Sequence, residues 1–513
     1  MTCRYHLLAL AIVILVPMAR AQPGTLDPDF GTDGIRILAP SMWSDEGVEV
    51  LHLADTTLLV CGITTVNGAR TGFITHILQD GTVDTSYGMN NGYTFFGTAP
   101  ESFTSDMEFA NDGSVYVCGM AYPAFNLYVP WVAHILADGS LDPAFGMAGV
   151  AFPSNANQDV MIIDMAVQLD GNIVLSGSIG LNADSDALLM RMTPSGGMDS
   201  TFNADGTLQL THYAGSDRLA GVDLLDDGSI IGVGWAAVNG LSQTICVKAD
   251  ATGTLVGSFD GDGILEPGLP FTNDQASAVK CSGQQFYVGG ADMSNSSDVN
   301  VYVARLNNDG SFDAAYGSAG VTTTDLDNVE GINDLRIQSD GKLLASGFTG
   351  PLGGPLGTWD ALVLRFDVAG TPDAAFGTGG AVTTGISPGK DTANGMTVQA
   401  DGKIVCVGST PNINAMDAFI LRFTNDLGTG LPAPSAHNGL IVHPVPVAAG
   451  GTITVSGAST SGPFHCWDGC GRVVELTSTR YTADQLTFGT ANLEPGVYLL
   501  RVGERCVRFV VGR

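Results

Sequence analysis

From residue 25 to residue 424 the chain alternates short apolar runs with clusters of Gly, Asn and Asp. A first run of period two, such as VEVLHL at 48–53 or MIIDMAVQ at 161–168, leads to a turn dipeptide that is Asp-Gly in its fullest form. A second apolar run follows and ends in Gly: SVYVCG at 114–119, NIVLSG at 172–177, SIIGVG at 229–234, KLLASG at 342–347 and KIVCVG at 403–408. Degenerate copies are TLLVCG after Asp55-Thr56 and QFYVGG after Gly283-Gln284. A third run, with WVAHIL, ALLMRM and ALVLRF among its versions, completes each triplet. Runs of this length, alternating and bounded by turn residues, predict the strands of an antiparallel meander.

An aromatic residue in a Gly-rich turn keeps the same beat. It recurs at Phe30, Tyr87, Phe145, Phe202, Phe259, Tyr316 and Phe376, at intervals of 57, 58, 57, 57, 57 and 60 residues. Its fullest forms read LDPDFGTDG, LDPAFGMAG and PDAAFGTGG, and an Asp stands three residues before the aromatic in six of seven copies, Val256 being the exception. A short fourth run follows the turn, as in GIRIL, GTLQL and GVTTT. Four antiparallel strands per repeat predict one propeller blade. The phase is informative. The chain opens with an aromatic turn and a fourth strand (26–38) that lack three strands before them, and the repeats end at Phe423 with three strands that lack a fourth. Joined, these fragments complete a seventh blade. The expected fold is all-β, a seven-bladed β-propeller over 25–424 closed by an N-terminal strand; a linear solenoid would need capping repeats.

Composition agrees with many strands and tight turns: 68 of 513 residues are Gly and only 14% are charged, which disfavours long helices, while 44% apolar residues supply a core. The formal charge of −31 argues against nucleic acid and anionic membrane surfaces as partners. Residues 1–21 read as a secretory signal peptide, with Arg4 and His6 ahead of an apolar run at 7–16 and Ala19-Arg20-Ala21 before Gln22. That run is too short for a membrane span, and no span is expected elsewhere. Cys61 and Cys118, in the same place in successive repeats, read as buried thiols, because facing sheets lie about 10 Å apart and a disulfide cannot bridge that gap. Cys466, Cys470 and Cys506 form a C-terminal group in which one disulfide would fit.

The L-D-x-x-F-G-x-x-G unit and its spacing resemble the delta-60 repeat, a β-propeller-type family of exported bacterial proteins with no assigned activity; the resemblance runs from Leu26 to Phe423, with Asn203 and Asp260 replacing the Gly after the aromatic. Residues 425–439 are rich in Gly, Pro, Ser and Ala and read as a linker. Residues 440–513 form a second, sandwich-like β-unit that resembles the type A sorting domain of the type IX secretion system, through Pro444 and Pro446, Gly496, Tyr498 and Arg501, and Arg508 to Val511. The resemblance implies export through the periplasm to the cell surface or medium, with the secretion machinery as a partner of 440–513 and removal of the tail on arrival.

Seven basic residues stand in phase in the third strands: His76, His134, Arg191, Lys248, Arg305, Arg365 and Arg422. They could ring a channel and receive an anion, or pair internally with Asp27, Asp84, Asp142, Asp199, Asp313 and Asp373; pairing is the expectation, because buried charges need partners. Asp260-Gly261-Asp262 and Asn182-x-Asp184-x-Asp186 carry oxygens at calcium-like spacing but lack the complete loop with its distal Glu, so no cofactor is assigned, calcium being the one these motifs could take. The strand-to-helix elbow that carries a G-x-S-x-G nucleophile, H-E-x-x-H and phosphate-binding loops are absent, and His52 and His212 stand alone, so no catalytic, cofactor-binding or metal residue is assigned. The Gly/Pro-rich stretch 350–360, with Trp359, is the expected contact loop. The expected function is a binding or scaffold module that contacts an extracellular glycan or protein. The alternative is an extracellular hydrolase or lyase acting on polysaccharide or peptide at the propeller mouth, where loops can build a site no linear motif shows.

Overall fold

A computed structural model describes residues 22–426, apart from 98–100, 123–126, 154–158, 182–183, 212–213, 266–268, 296–297, 327, 352–357 and 413–414, and, beyond 440, the strands between 441 and 512 with residues 476, 490 and 493. Seven four-stranded antiparallel sheets follow one another along the chain. Their first strands are Asp45–His52, Ser102–Phe109, Val160–Val167, Arg218–Leu224, Asp274–Ser282, Val329–Ile337 and Thr392–Val398, which open blades one to seven. Each first strand packs beside those of the preceding and following blades, and the last meets the first, so they line a central channel and close a ring.

In the seventh blade the sheet order is Ile35–Leu38, Met416–Phe423, Ile404–Pro411, Thr392–Val398. Ile35 stands opposite Leu421 and Leu38 opposite Ala418, so the N-terminal segment supplies the missing fourth strand. The ring is held by apolar layers between adjacent blades. Blades three and four share Val174, Leu189, Leu219, Ile230 and Val247, and the clasp is sealed by Phe30, Leu38, Val50, Phe73, Val405 and Ile420. The aromatic of every repeat turn is buried in this way, from Phe30 to Phe376. Burying each such ring contributes roughly 1.5–3 kcal/mol.

Every first strand carries a β-bulge in the same phase, just after Gly47, Thr104, Ile162, Leu219, Ala276, Ile332 and Ala393. Two of its residues then oppose one on the second strand. The bulge presses a first-strand carbonyl against the second strand. A Cβ on Gly62, Gly119, Gly177, Gly234, Gly290, Gly347 or Gly408 would stand 1.8–2.1 Å from that oxygen. No side chain fits there, which is why the second run ends in Gly in all seven repeats.

The turns joining first to second strands, 53–57, 110–114, 168–172, 225–229, 338–342 and 399–403, have one length in six blades. On the opposite face the connections between second and third strands range from 67–68 to 351–359. One face of the ring is uniform and the other carries the variation.

Beyond the propeller lie two sheets. One orders Ile441–His443, Thr452–Ser456, Gln485–Gly489 and Thr477–Thr482; the other orders Val447–Ala448, Arg505–Gly512, Gly496–Val502, Phe464–Asp468 and Val473–Val474. The final strand pairs antiparallel with Gly496–Val502, Tyr498 opposite Phe509, and parallel with Val447. Residues 1–21, expected to be a signal peptide, residues 427–439, Pro444, Pro446, Cys470 and His212 lie outside the described residues.

Candidate functional site in the central channel

The in-phase bases of the third strands are tied to the aspartates of the aromatic turns. The contacts are His76–Asp84 at 3.0 Å, His134–Asp142 at 2.9 Å, Arg191–Asp199 at 2.8 Å, Arg305–Asp313 at 2.8 Å, Arg365–Asp373 at 2.9 Å and Arg422–Asp27 at 2.8 Å. The turn aromatic lies against the same base: the guanidinium carbons of Arg191, Arg305, Arg365 and Arg422 sit 4.9, 4.8, 4.7 and 4.4 Å from the ring centroids of Phe202, Tyr316, Phe376 and Phe30. Several of these guanidiniums also reach the next blade. Arg191 donates to the Ala251 carbonyl, Arg305 to Val368 at 2.8 Å and Arg422 to Gln79 at 2.7 Å. Lys248 faces Val256 where the Asp is missing, and it turns to Asn308 of blade five instead. His76 and His134 are held within their own blades while Arg191, Lys248, Arg305, Arg365 and Arg422 also tie neighbouring blades, and the anion-receiving ring is not formed.

The other sequence candidates are likewise placed. Asp260 takes a left-handed turn conformation (φ 49°) and the Asp262 carboxylate accepts from Ile264 N at 2.9 Å. Asp186 accepts from Gln209 at 2.6 Å, and Asn182 lies outside the described residues. Among the described residues, no group of three or more His, Cys, Asp or Glu is arranged to hold a metal ion. His52 bonds Thr397 at 3.0 Å. Cys61 and Cys118 are buried thiols, their ionisation pushed up by burial. Trp359 corrects the reading of it as an exposed contact: it is half-buried, stacked on Phe348 at 4.3 Å with Lys390 Nζ 3.9 Å from its centroid, where blades six and seven meet.

A different set of residues lines a cavity of about 320 Å³ in the channel. Because the bulge turns two successive residues inward, an acid follows it in blades one, two, three and six: Glu49, Asp106, Asp164 and Asp334. Their carboxylates bridge blades through the backbone. Asp106 accepts from Met165 N at 3.1 Å, Asp164 from Val222 N at 2.6 Å and Asp334 from Met396 N at 2.9 Å. Asp223, further along its strand, accepts from Cys281 N at 2.8 Å. Bulge residues reach the other way: Asn333 donates to Ala393 O at 2.9 Å and Asn394 to Gly47 O at 2.8 Å. Lys280 pairs with Asp223 at 3.0 Å, and Arg336 with Glu49 at 3.2 Å and Asp334 at 2.5 Å. Glu108 also faces the cavity and makes no hydrogen bond among the described residues.

So many acids around one cavity raise each other's proton affinity. Burial holds the Glu49 and Asp106 carboxyls well above the usual carboxylate range, and the Asp164 carboxyl beside Asp106 raises it further by charge and by hydrogen bonding. An acid raised in the folded state contributes stability that is fully present below its ordinary range and is lost as pH rises through the folded value. The isosteric Asp106→Asn keeps the donor to Asp164 and an acceptor for Met165 N. Melting scans are therefore expected to overlay near pH 4, with the variant gaining on the native protein as pH rises, by on the order of 1 kcal/mol at pH 8. A constant offset across that range would contradict the assignment.

The cavity acids went unmarked in the sequence because each looks like the polar position of a half-buried strand. Their signal was there: Glu49, Asp106 and Asp164 share the 57- and 58-residue beat of the aromatic turns.

A family model described as a domain of unknown function, DUF5122 beta-propeller, matches residues 287–316, part of the second strand, the third strand and the aromatic turn of blade five. No curated protein matches the chain. Among solved structures it is similar to a catalytically inactive virginiamycin B lyase from Staphylococcus aureus with quinupristin, at 10% identity over 75% of this chain and 98% of that one, with TM-score 0.44. It is similar also to Drosophila semaphorin 2a (9% identity, 96% and 99% of the two chains, TM-score 0.43) and to Sqt1 of Chaetomium thermophilum (11%, 76% and 97%, TM-score 0.40).

Proposed function

We propose that this β-propeller is an exported binding or scaffold module, carried to the cell surface or medium by the type IX secretion system through residues 440–513. The observation that supports it most directly is the division of labour in the ring. The recurrent charged residues are consumed in holding the frame together, as in Asp27–Arg422 and Arg365–Asp373, while the widest length variation lies on the face with the 67–68 and 351–359 connections. A rigid frame that varies on one face suits holding a glycan or protein there. The hydrolase or lyase reading draws on the Asp106–Asp164 pair, two neighbouring acids whose proton affinities burial raises, although both are tied to backbone N–H groups.

The test is a glycan array and pull-down with the purified full chain, with cleavage products assayed in the same samples. Saturable binding without turnover supports the module; turnover of a bound polymer would replace it with the enzyme. Export is followed by fractionating cells that carry the chain without 440–513, which should then stay in the periplasm.

A further inference from the structure

Blade four departs from the other six at the channel. Arg218 stands where the others have Glu46, Phe103, Met161, Gln275, Gly331 and Thr392, and Trp235 where they have Ile63, Met120, Ser178, Ala291, Phe348 and Ser409. The two face each other across the strand pair, and the Arg218 guanidinium lies 3.8 Å from the Trp235 ring centroid. Both line the cavity. Among the described residues Arg218 has no carboxylate within ion-pairing distance and no hydrogen bond, and burial alone pulls its ionisation down. Arg191, Arg305, Arg336, Arg365 and Arg422 all have carboxylates. An arginine fork laid flat on an indole, its donors unused, is built to receive a carboxylate.

A simple anion does not suit the rest of the cavity. Six acids line it against Arg218, Lys280 and Arg336, and the last two are already paired. A ligand that enters gains most if it brings an ammonium donor for these carboxyl oxygens as well as a carboxylate for Arg218. Its size is bounded too: about 320 Å³ holds roughly ten waters, at about 30 Å³ each. That admits an amino acid or dipeptide.

We propose that the channel is a receptor site for a small zwitterion, a free α-amino acid or dipeptide, whose carboxylate lies on Arg218 over Trp235 and whose ammonium faces the carboxyl groups that line the same cavity. The site rests on the reading of the propeller as a binding module and gives that module a ligand class.

Calorimetric titration of the full chain with the twenty amino acids, Ala-Ala and Leu-Leu, and the C-terminal amides and N-acetyl forms of the dipeptides tests it. At least one free zwitterion should bind saturably, with its amidated and acetylated forms each at least tenfold weaker. Arg218→Gln should erase the preference for the free acid over the amide at an unchanged melting temperature, and Arg218→Lys should restore part of it. The proposal is overturned if no zwitterion binds, if the amide binds as well as the acid, or if Arg218→Gln keeps the preference. If a glycan or protein binds while no zwitterion does, only the ligand class falls. If nothing binds in either experiment, the binding-module reading falls with it.

Discussion

Deletion of residues 22–40 is expected to abolish the folded monomer, although fewer than twenty residues are lost from a chain of 513. The segment closes the ring in three ways. Its strand pairs Ile35–Leu38 with Ala418–Leu421. Asp27 binds Arg422 at 2.8 Å and Lys403 at 3.1 Å. The Pro23 carbonyl takes Gly377 N at 3.0 Å, standing in for the inter-blade bond that Gly31 and Gly88 make to Asp80 and Asp138 elsewhere. Without it Met416–Phe423 becomes an exposed edge, Phe30 leaves its buried site, and Arg422 is left with only the Gln79 carbonyl. An open edge beside an uncovered apolar face invites pairing with other chains. Size-exclusion chromatography should show oligomers or aggregate, and the native melting transition should be missing. A monomer with an unchanged melting point would mean that closure lies elsewhere.

Arg191→Ala should be the most costly single substitution among the blade ties, at about 3–5 kcal/mol in chemical denaturation. Arg191 and Asp199 are 4% and 7% exposed. The guanidinium serves Asp199 at 2.8 Å, Thr201 at 3.0 Å, Gln168 at 3.3 Å and the Ala251 carbonyl of blade four. Asp373 and Asp27 would keep Lys342 and Lys403 if Arg365 or Arg422 were lost, whereas among the described residues Asp199 has no second base. The double substitution Arg191→Met with Asp199→Leu should recover most of the loss, because the buried charge goes with its partner. A single variant costing under about 1 kcal/mol would class the pair with exposed ion pairs, which contribute little.

The sequence by itself determined the number of blades, the clasp and the pairing of third-strand bases with turn aspartates. All three depend on period and phase: a base and an Asp that recur together eight residues apart, as in Arg191 and Asp199, meet wherever one meander is built seven times. The missing Asp at Val256 was legible for the same reason, but its consequence was not, since Lys248 finds Asn308, sixty residues away in the next blade. Only the tertiary structure decided what lines the channel. A bulge slips strand pairing by one residue, so an alternating pattern no longer tells which positions face inward. Glu49, Asp106 and Asp164 thereby turn from apparent surface acids into a cavity-lining cluster whose proton affinities burial raises. Trp359, expected to lie in a contact loop, is packed by Phe348 and Lys390 from elements its own neighbourhood does not contain. Arg218 and Trp235, seventeen positions apart and unremarkable in line, become a stacked and unpaired receptor only when register sets them side by side at the mouth of a closed ring.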